Sequence, residues 1–173
     1  DGTQLVRYNT NKASENTRLI YDITRQQTAI TCLYLDVQGY LWIGTMGKGL
    51  KRMQTATGVQ RSVEENPLLQ DGHILSITGN KNSVWVASLN GITELNLTGA
   101  NQALAAPFSY HNYGKQDGIG SDYVYHLFMD TKDRLWLATD GAGVALRENG
   151  RFRNLLSEAQ LKTKVVYSVT EDK

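Results

Sequence analysis

Gly44, Gly47, Lys48 and Gly49, inside "LWIGTMGKGL" (41–50), set three glycines and a lysine where a phosphate could be cradled. A Walker-type loop needs four residues between its first glycine and the Gly-Lys pair, then a hydroxyl to hold magnesium. Only Thr45 and Met46 separate Gly44 from Gly47, and Gly49 stands in the hydroxyl's place. No helical pattern follows to receive the phosphate at its N-terminus. Phosphate binding is therefore excluded. His73, His111 and His126 lack metal-ligand spacing, and Cys32 has no CxxC partner. Cys32 sits in the apolar, β-prone "ITCLYL", where a buried inert thiol is expected. "DTKD" (130–133) lacks the alternating oxygens, glycine and terminal Glu of a calcium loop. "NLT" (96–98) is a glycosylation sequon by pattern only. Glu94 is the clearest acid inside a strand, and no facing base or acid can be named for it. With no nucleophile–base or metal constellation, the expectation is a protein without catalysis, metal or cofactor.

Bulk properties narrow the partners. Eighteen basic residues against 17 acidic leave no electrostatic footprint for nucleic acid or an anionic membrane. No apolar run approaches the roughly 20 residues that span a bilayer, so no membrane contact is expected within the segment. The sequence opens on "DGTQLVRY" with no signal peptide, like the interior of something longer.

The elements that must position these residues emerge from internal repetition. "ITCLYLDVQGYLWIGTMGKGLKRM" (30–53) aligns without a gap on "VYHLFMDTKDRLWLATDGAGVALR" (124–147). The match pairs Asp36 with Asp130, Trp42 with Trp136, Thr45 with Thr139, and Gly47 with Gly141. A weaker copy, "ILSITGNKNSVWVASLNGITEL" (74–95), lies between them, and a fourth begins at "VYSVTEDK" (166–173). Trp42, Trp85 and Trp136 stand 43 and 51 residues apart, the excess falling in "LTGANQALAAP" (97–107), a long hairpin loop. A period in the low forties built of short β runs marks a propeller blade.

The chain is thus expected to be all-β: four-stranded antiparallel blades in an incomplete arc of about three to four. The end of one blade occupies 1–29, whole blades occupy 30–73, 74–123 and 124–165, and another starts at 166–173. Inner strands such as Ile30–Leu35 turn into strands such as "YLWIGT", then "GLKRM", then outer strands "VQRSV" (59–63), "FSYHNY" (108–113) and "FRNLL" (152–156). Helix is limited to one turn at "SEAQLKT" (157–163). Pro67 and Pro107 fall between strands, where a missing N–H is harmless. Asp36, Asn80 and Asp130 open hairpins with Asx turns. Gly44, matched by Ala87 and Ala138, is small where neighbouring sheets pack closely, and Gly47 and Gly141 take positive φ at the next turn. Trp42, Trp85 and Trp136 are placed between neighbouring sheets.

The pattern I-x-x-L-x-x-D-x-x-G-x-L-W-I-G-T-x-x-x-G-L in residues 30–50 resembles the two-component regulator propeller repeat. "DGIGSDYV" before the third copy is similar to that family's Gly-Leu-Pro-Ser-Asn-x-Val element, with Ile119-Gly120 replacing Leu-Pro. The resemblance implies the periplasmic sensor domain of a hybrid two-component histidine kinase of Bacteroidetes, part of a large propeller. Such domains often respond to oligosaccharides.

Turns between second and third strands share a face with the blade-to-blade connections, where propellers usually bind ligand. The candidate contacts are Lys48, Asn90 and Asp140 on the turns, and His73, Tyr123, Tyr125 and His126 in or beside the connections. Aromatic faces beside hydrogen-bonding groups suit sugars. His126 replaces Cys32, Ser76 and Ser168 of the other copies, so it either projects toward the channel or is a core imidazole bonded to a carbonyl. The expected partner is an oligosaccharide or other small soluble ligand, together with the rest of the sensor propeller or a second copy of the chain. Two alternatives stand beside this sensor reading. One is a propeller enzyme of lyase or glycosidase type, since the streptogramin-lyase type has a similar blade period; the other is a protein-binding scaffold.

Overall fold

The structure is a computed structural model that describes residues 4–8, 18–22, 28–63, 67–70, 72–97, 108–155 and 164–172. The fold is all-β. A two-stranded sheet of β1 (Gln4–Tyr8) and β2 (Arg18–Asp22) comes first. Blade 1 is β3 (Ile30–Leu35), β4 (Tyr40–Thr45), β5 (Leu50–Gln54) and β6 (Gln60–Ser62). After the four-residue helix α1 (Pro67–Gln70), blade 2 is β7 (Ile74–Gly79), β8 (Ser83–Ser88), β9 (Gly91–Asn96) and β10 (Ser109–Tyr113). A 3-10 turn (Lys115–Asp117) leads to blade 3: β11 (Val124–Met129), β12 (Leu135–Thr139), β13 (Gly143–Glu148) and β14 (Arg151–Asn154). Each blade is an antiparallel meander in chain order.

The core is a series of seams between blades. In the second strand of blade 1, alternate residues go to opposite faces. Ile43 meets Leu5 of the opening sheet, while Trp42 packs with Leu69, Val84 and Phe108 toward blade 2. Trp85 repeats this toward blade 3, with Ile119, Leu127 and Leu137. The connections anchor themselves in these seams: Leu69 and Ile119 are both fully buried. The expected small residue at 44 has its reason here. A Cβ on Gly44 would stand 2.5 Å from the Cys32 sulfur and 2.7 Å from Ile74 Cγ2 of the next blade. Gly47 and Gly141 have φ of 87° and 90°, as a tight turn requires.

The Asx turns form as expected. Asp36 Oδ1 accepts the N–H groups of Gln38 and Tyr40, each at 2.9 Å. Asp130 does the same for Lys132 and Arg134, and Asn80 for Asn82 and Ser83. The second oxygen has a use the sequence pattern did not disclose. Asp36 Oδ2 accepts the Trp42 indole N–H at 2.8 Å, and Asp130 Oδ2 that of Trp136 at 2.8 Å.

Four expectations need correction. Pro67 does lie between strands, but it opens helix α1, a turn too short to show periodicity. The outer strands are shorter than read, and residues 164–170 carry no ladder of their own. Trp136 holds the same strand position as Trp42 but stays half-buried, because only 164–172 face it among the described residues. His126 bonds a backbone amide and not a carbonyl, as detailed below. The turn expected at 157–163 and most of the loop at 97–107 lie outside the described residues.

Candidate functional site

One end of the blades is built from three turns and the connections that flank them. A buried hydroxyl fixes each turn. Thr45 Oγ1 donates to the Gly49 carbonyl at 2.7 Å, Thr139 Oγ1 to that of Gly143 at 2.9 Å, and Ser88 Oγ to that of Gly91 at 3.4 Å. The backbone then ties each turn to the connection leading into its own blade or the next. Met46 N–H donates to Ala29 and Gly49 N–H to Gly72. Gly91 N–H donates to Asp122, Asp140 N–H to Tyr123, and Gly143 N–H to Lys164. Turns and connections therefore form one continuous rim.

The candidate residues fall on that rim in two groups. Lys48 and His73 are exposed around the first turn: Met46 bridges to His73, and a Cβ on Gly47 would lie 3.8 Å from the His73 ring. Asn90 is exposed on the second turn, its N–H held by Ser88 Oγ at 3.2 Å. The second group is tighter. Tyr125 donates its hydroxyl to Asp140 Oδ2 at 2.9 Å, and the Asp140 backbone is tied to Tyr123, itself about half exposed. The hydrogen bond to Asp140 raises the Tyr125 phenol above its ordinary value, so it remains a donor. Tyr167, 72% exposed, tilts against Tyr125 with ring centroids 5.2 Å apart.

Tyr167 was absent from the sequence-derived candidates. The signal was available: "VYSVTED" repeats "VYHLFMD", which makes Tyr167 the counterpart of Tyr125 in the next copy. Tyr125, Tyr167 and Asp140 thus meet at one corner, and the exposed Tyr123 joins it through its backbone carbonyl, so the corner offers apolar faces with polar tips.

His126 belongs elsewhere. Its Nδ1 accepts the Val169 N–H at 3.4 Å, and Ser76 Oγ accepts the Leu127 N–H at 3.0 Å one blade earlier. In blades 2 and 3 the side chain at this position links the inner strand to the corresponding segment of the next copy. Burial holds the His126 imidazole below its ordinary value, which keeps the acceptor nitrogen free of a proton. Glu94 is also engaged, accepting hydroxyls of Ser83 and Tyr113 at 2.9 Å each and lying 3.8 Å from Arg147. Cys32 is half-buried against the core rather than fully buried as expected, and burial still raises its thiol to about 11, which suits an inert residue. Among the described residues, no group of three or more His, Cys, Asp or Glu is arranged to hold a metal ion. No helix among them is long and apolar enough to cross a membrane.

Comparison with known proteins bears on the fold and the repeat. Residues 24–47 and 118–141 match the family model described as two component regulator propeller. No curated protein matches the chain. Among solved structures, the extracellular domain of a protein described as a hybrid two component system of B. thetaiotaomicron aligns with a TM-score of 0.61 at 20% identity. The alignment covers 78% of this chain and 17% of that one. A second B. thetaiotaomicron ectodomain is described as a one component system in one structure and a hybrid two component system in another. It aligns with TM-scores of 0.68 and 0.65 at 15% identity, covering 89% of this chain and 23% and 22% of those. A catalytically inactive virginiamycin B lyase from Staphylococcus aureus aligns at 0.62 and 14% identity, covering 87% of this chain and 47% of that one. The chain therefore spans about a fifth of the ectodomains it matches. At these identities the likeness establishes a propeller fold.

Proposed function

We propose that this chain, which carries two repeats of the two component regulator propeller family, is a ligand-sensing segment of a hybrid two-component sensor histidine kinase. In this reading it works on the periplasmic side and recognises an oligosaccharide without chemistry. The observation that carries the reading is the corner formed by Tyr123, Tyr125, Tyr167 and Asp140. A sugar ring presents C–H patches that lie against aromatic faces and hydroxyls that pair with a carboxylate. Balanced charge disfavours a polyanion as ligand. The two B. thetaiotaomicron likenesses, both described as extracellular domains, support the placement.

A second reading, a propeller enzyme, is favoured by the likeness to the lyase. One experiment separates the two. The chain is incubated with a panel of plant and host oligosaccharides while melting temperature and product are both followed. A rise in melting temperature without product supports the sensor reading, and product supports the enzyme. For the oligosaccharide that binds, Tyr123→Ala and Asp140→Ala should each weaken binding by about 1 kcal/mol or more, with the fold unchanged. Unchanged binding in both variants would move the site away from this corner.

A further inference from the structure

The two closed seams share a motif. In the first, Trp42 meets Phe108 of the following blade at 5.4 Å, and the Arg52 guanidinium lies over both rings, at 5.1 and 5.0 Å. In the second, Trp85 meets Phe152 of the following blade at 6.5 Å, and Arg147 lies over both, at 4.7 and 5.8 Å. Each trio thus joins a tryptophan from a second strand, a phenylalanine at the start of the next blade's outer strand, and an arginine. The arginines come from different places, Arg52 from the blade of its tryptophan and Arg147 from the next. The tryptophan–phenylalanine pairing is what repeats.

The third tryptophan has only part of this. Arg134 lies over Trp136 at 5.4 Å and is held there by Asp130 at 2.7 Å. Beside Trp136, in place of a phenylalanine contact, there is a cavity of about 300 Å³ whose apolar lining is Phe128, Trp136, Val144, Leu155 and Val169. Asp130, Arg134, Thr170 and Glu171 complete the lining, and Glu171 accepts the N–H and the hydroxyl of Thr131. The walls are apolar and aromatic, and the cation is already in position.

We propose that this cavity receives an aromatic side chain from the outer strand of a further propeller blade, completing a third Trp–aromatic–Arg trio. The partner is a four-stranded sheet like blades 2 and 3, docked on the face that β11, β12 and β13 present. The surface continues a seam already formed twice, and residues 164–172 already lie along it as the next inner strand would. A ring in the cavity gains apolar contact with Trp136 and a cation over its face, and that cation is already paired with Asp130.

The test uses the three indole N–H resonances of the nitrogen-15-labelled chain, with toluene as the probe for a phenylalanine side chain. Toluene should shift the Trp136 resonance saturably and leave those of Trp42 and Trp85 in place. A lengthened chain supplies the second arm. Residues 166–172 repeat 124–130, so a second copy of residues 132–165 added after residue 173 completes a blade with its own outer-strand phenylalanine. In that chain toluene should no longer shift Trp136, and replacing the added phenylalanine with alanine should restore the shift. The Trp42 and Trp85 resonances report whether each variant is folded. The proposal is overturned if toluene leaves Trp136 unmoved or moves all three alike, or if the folded lengthened chain still binds toluene there. It is overturned equally if Trp136 shifts with protein concentration alone, which would assign the cavity to a second copy of the chain.

Discussion

Asp36 shows how much one side chain can hold in place. Its two oxygens accept two backbone N–H groups and an indole N–H, and Arg52 approaches to 3.8 Å. Asparagine would preserve the turn but aim an amide N–H at the indole, as well as removing the charge facing buried Arg52. Asp36→Asn should therefore destabilise the protein by about 1.5–3 kcal/mol in denaturant titration. A loss too small to measure would mean the indole bond contributes nothing. Asp130 has the same arrangement. Burial would raise its carboxyl, but hydrogen bonds from Trp136, Arg134 and Lys132 outweigh that and hold it at about 2. The turn was legible in the sequence because Asx chemistry is local. The indole bond was not, since it joins residues six apart whose meeting depends on how the hairpin twists.

Strands and their order were the most legible level. Ile30–Leu35 and Tyr40–Thr45 have the bounds read from the sequence, because alternation and turn residues fix them from both sides. Links between strands of different blades were opaque, since nothing local distinguishes a linking residue from a filling one. His126 is the instructive case: its polarity suggested a ligand contact, yet it accepts the Val169 N–H. Burial makes this ring's contribution to stability depend on pH. The folded imidazole titrates below its ordinary 6.5, so the unfolded chain takes up the proton first as pH falls. Stability is intact above that value and declines below it. Between about pH 7.5 and about pH 5.5, urea midpoints should fall more for the native chain than for His126→Ser, which copies Ser76. Equal declines would show that His126 does not titrate against the fold.

At the scale of the whole molecule, stability is distributed over seams, each joining only neighbours, as in other repeat architectures. The tryptophans should therefore differ in worth despite their matching sequence positions. Trp42→Ala, in a seam closed by Phe108, should cost about 3–5 kcal/mol, and Trp136→Ala clearly less because its seam is open. Equal losses in calorimetry would contradict the seam account. The arc of blades was legible because the repeat is written along the chain. The corner of three tyrosines was legible only in part, since Tyr167 comes from a copy that shows little of its pattern.

Sequence repetition invites the thought that such blades could be shuffled. The seams say otherwise. Gly44 leaves room for Ile74 where a Cβ would collide with it, Ser76 takes the amide of Leu127, and Arg147 reaches back to Glu94 and Trp85. These contacts differ from joint to joint, so a permuted chain would keep every blade's internal ladder and the recurring tryptophan–phenylalanine pairing but lose the contacts peculiar to each joint. The order of the copies is itself information, and duplication alone would not have written it.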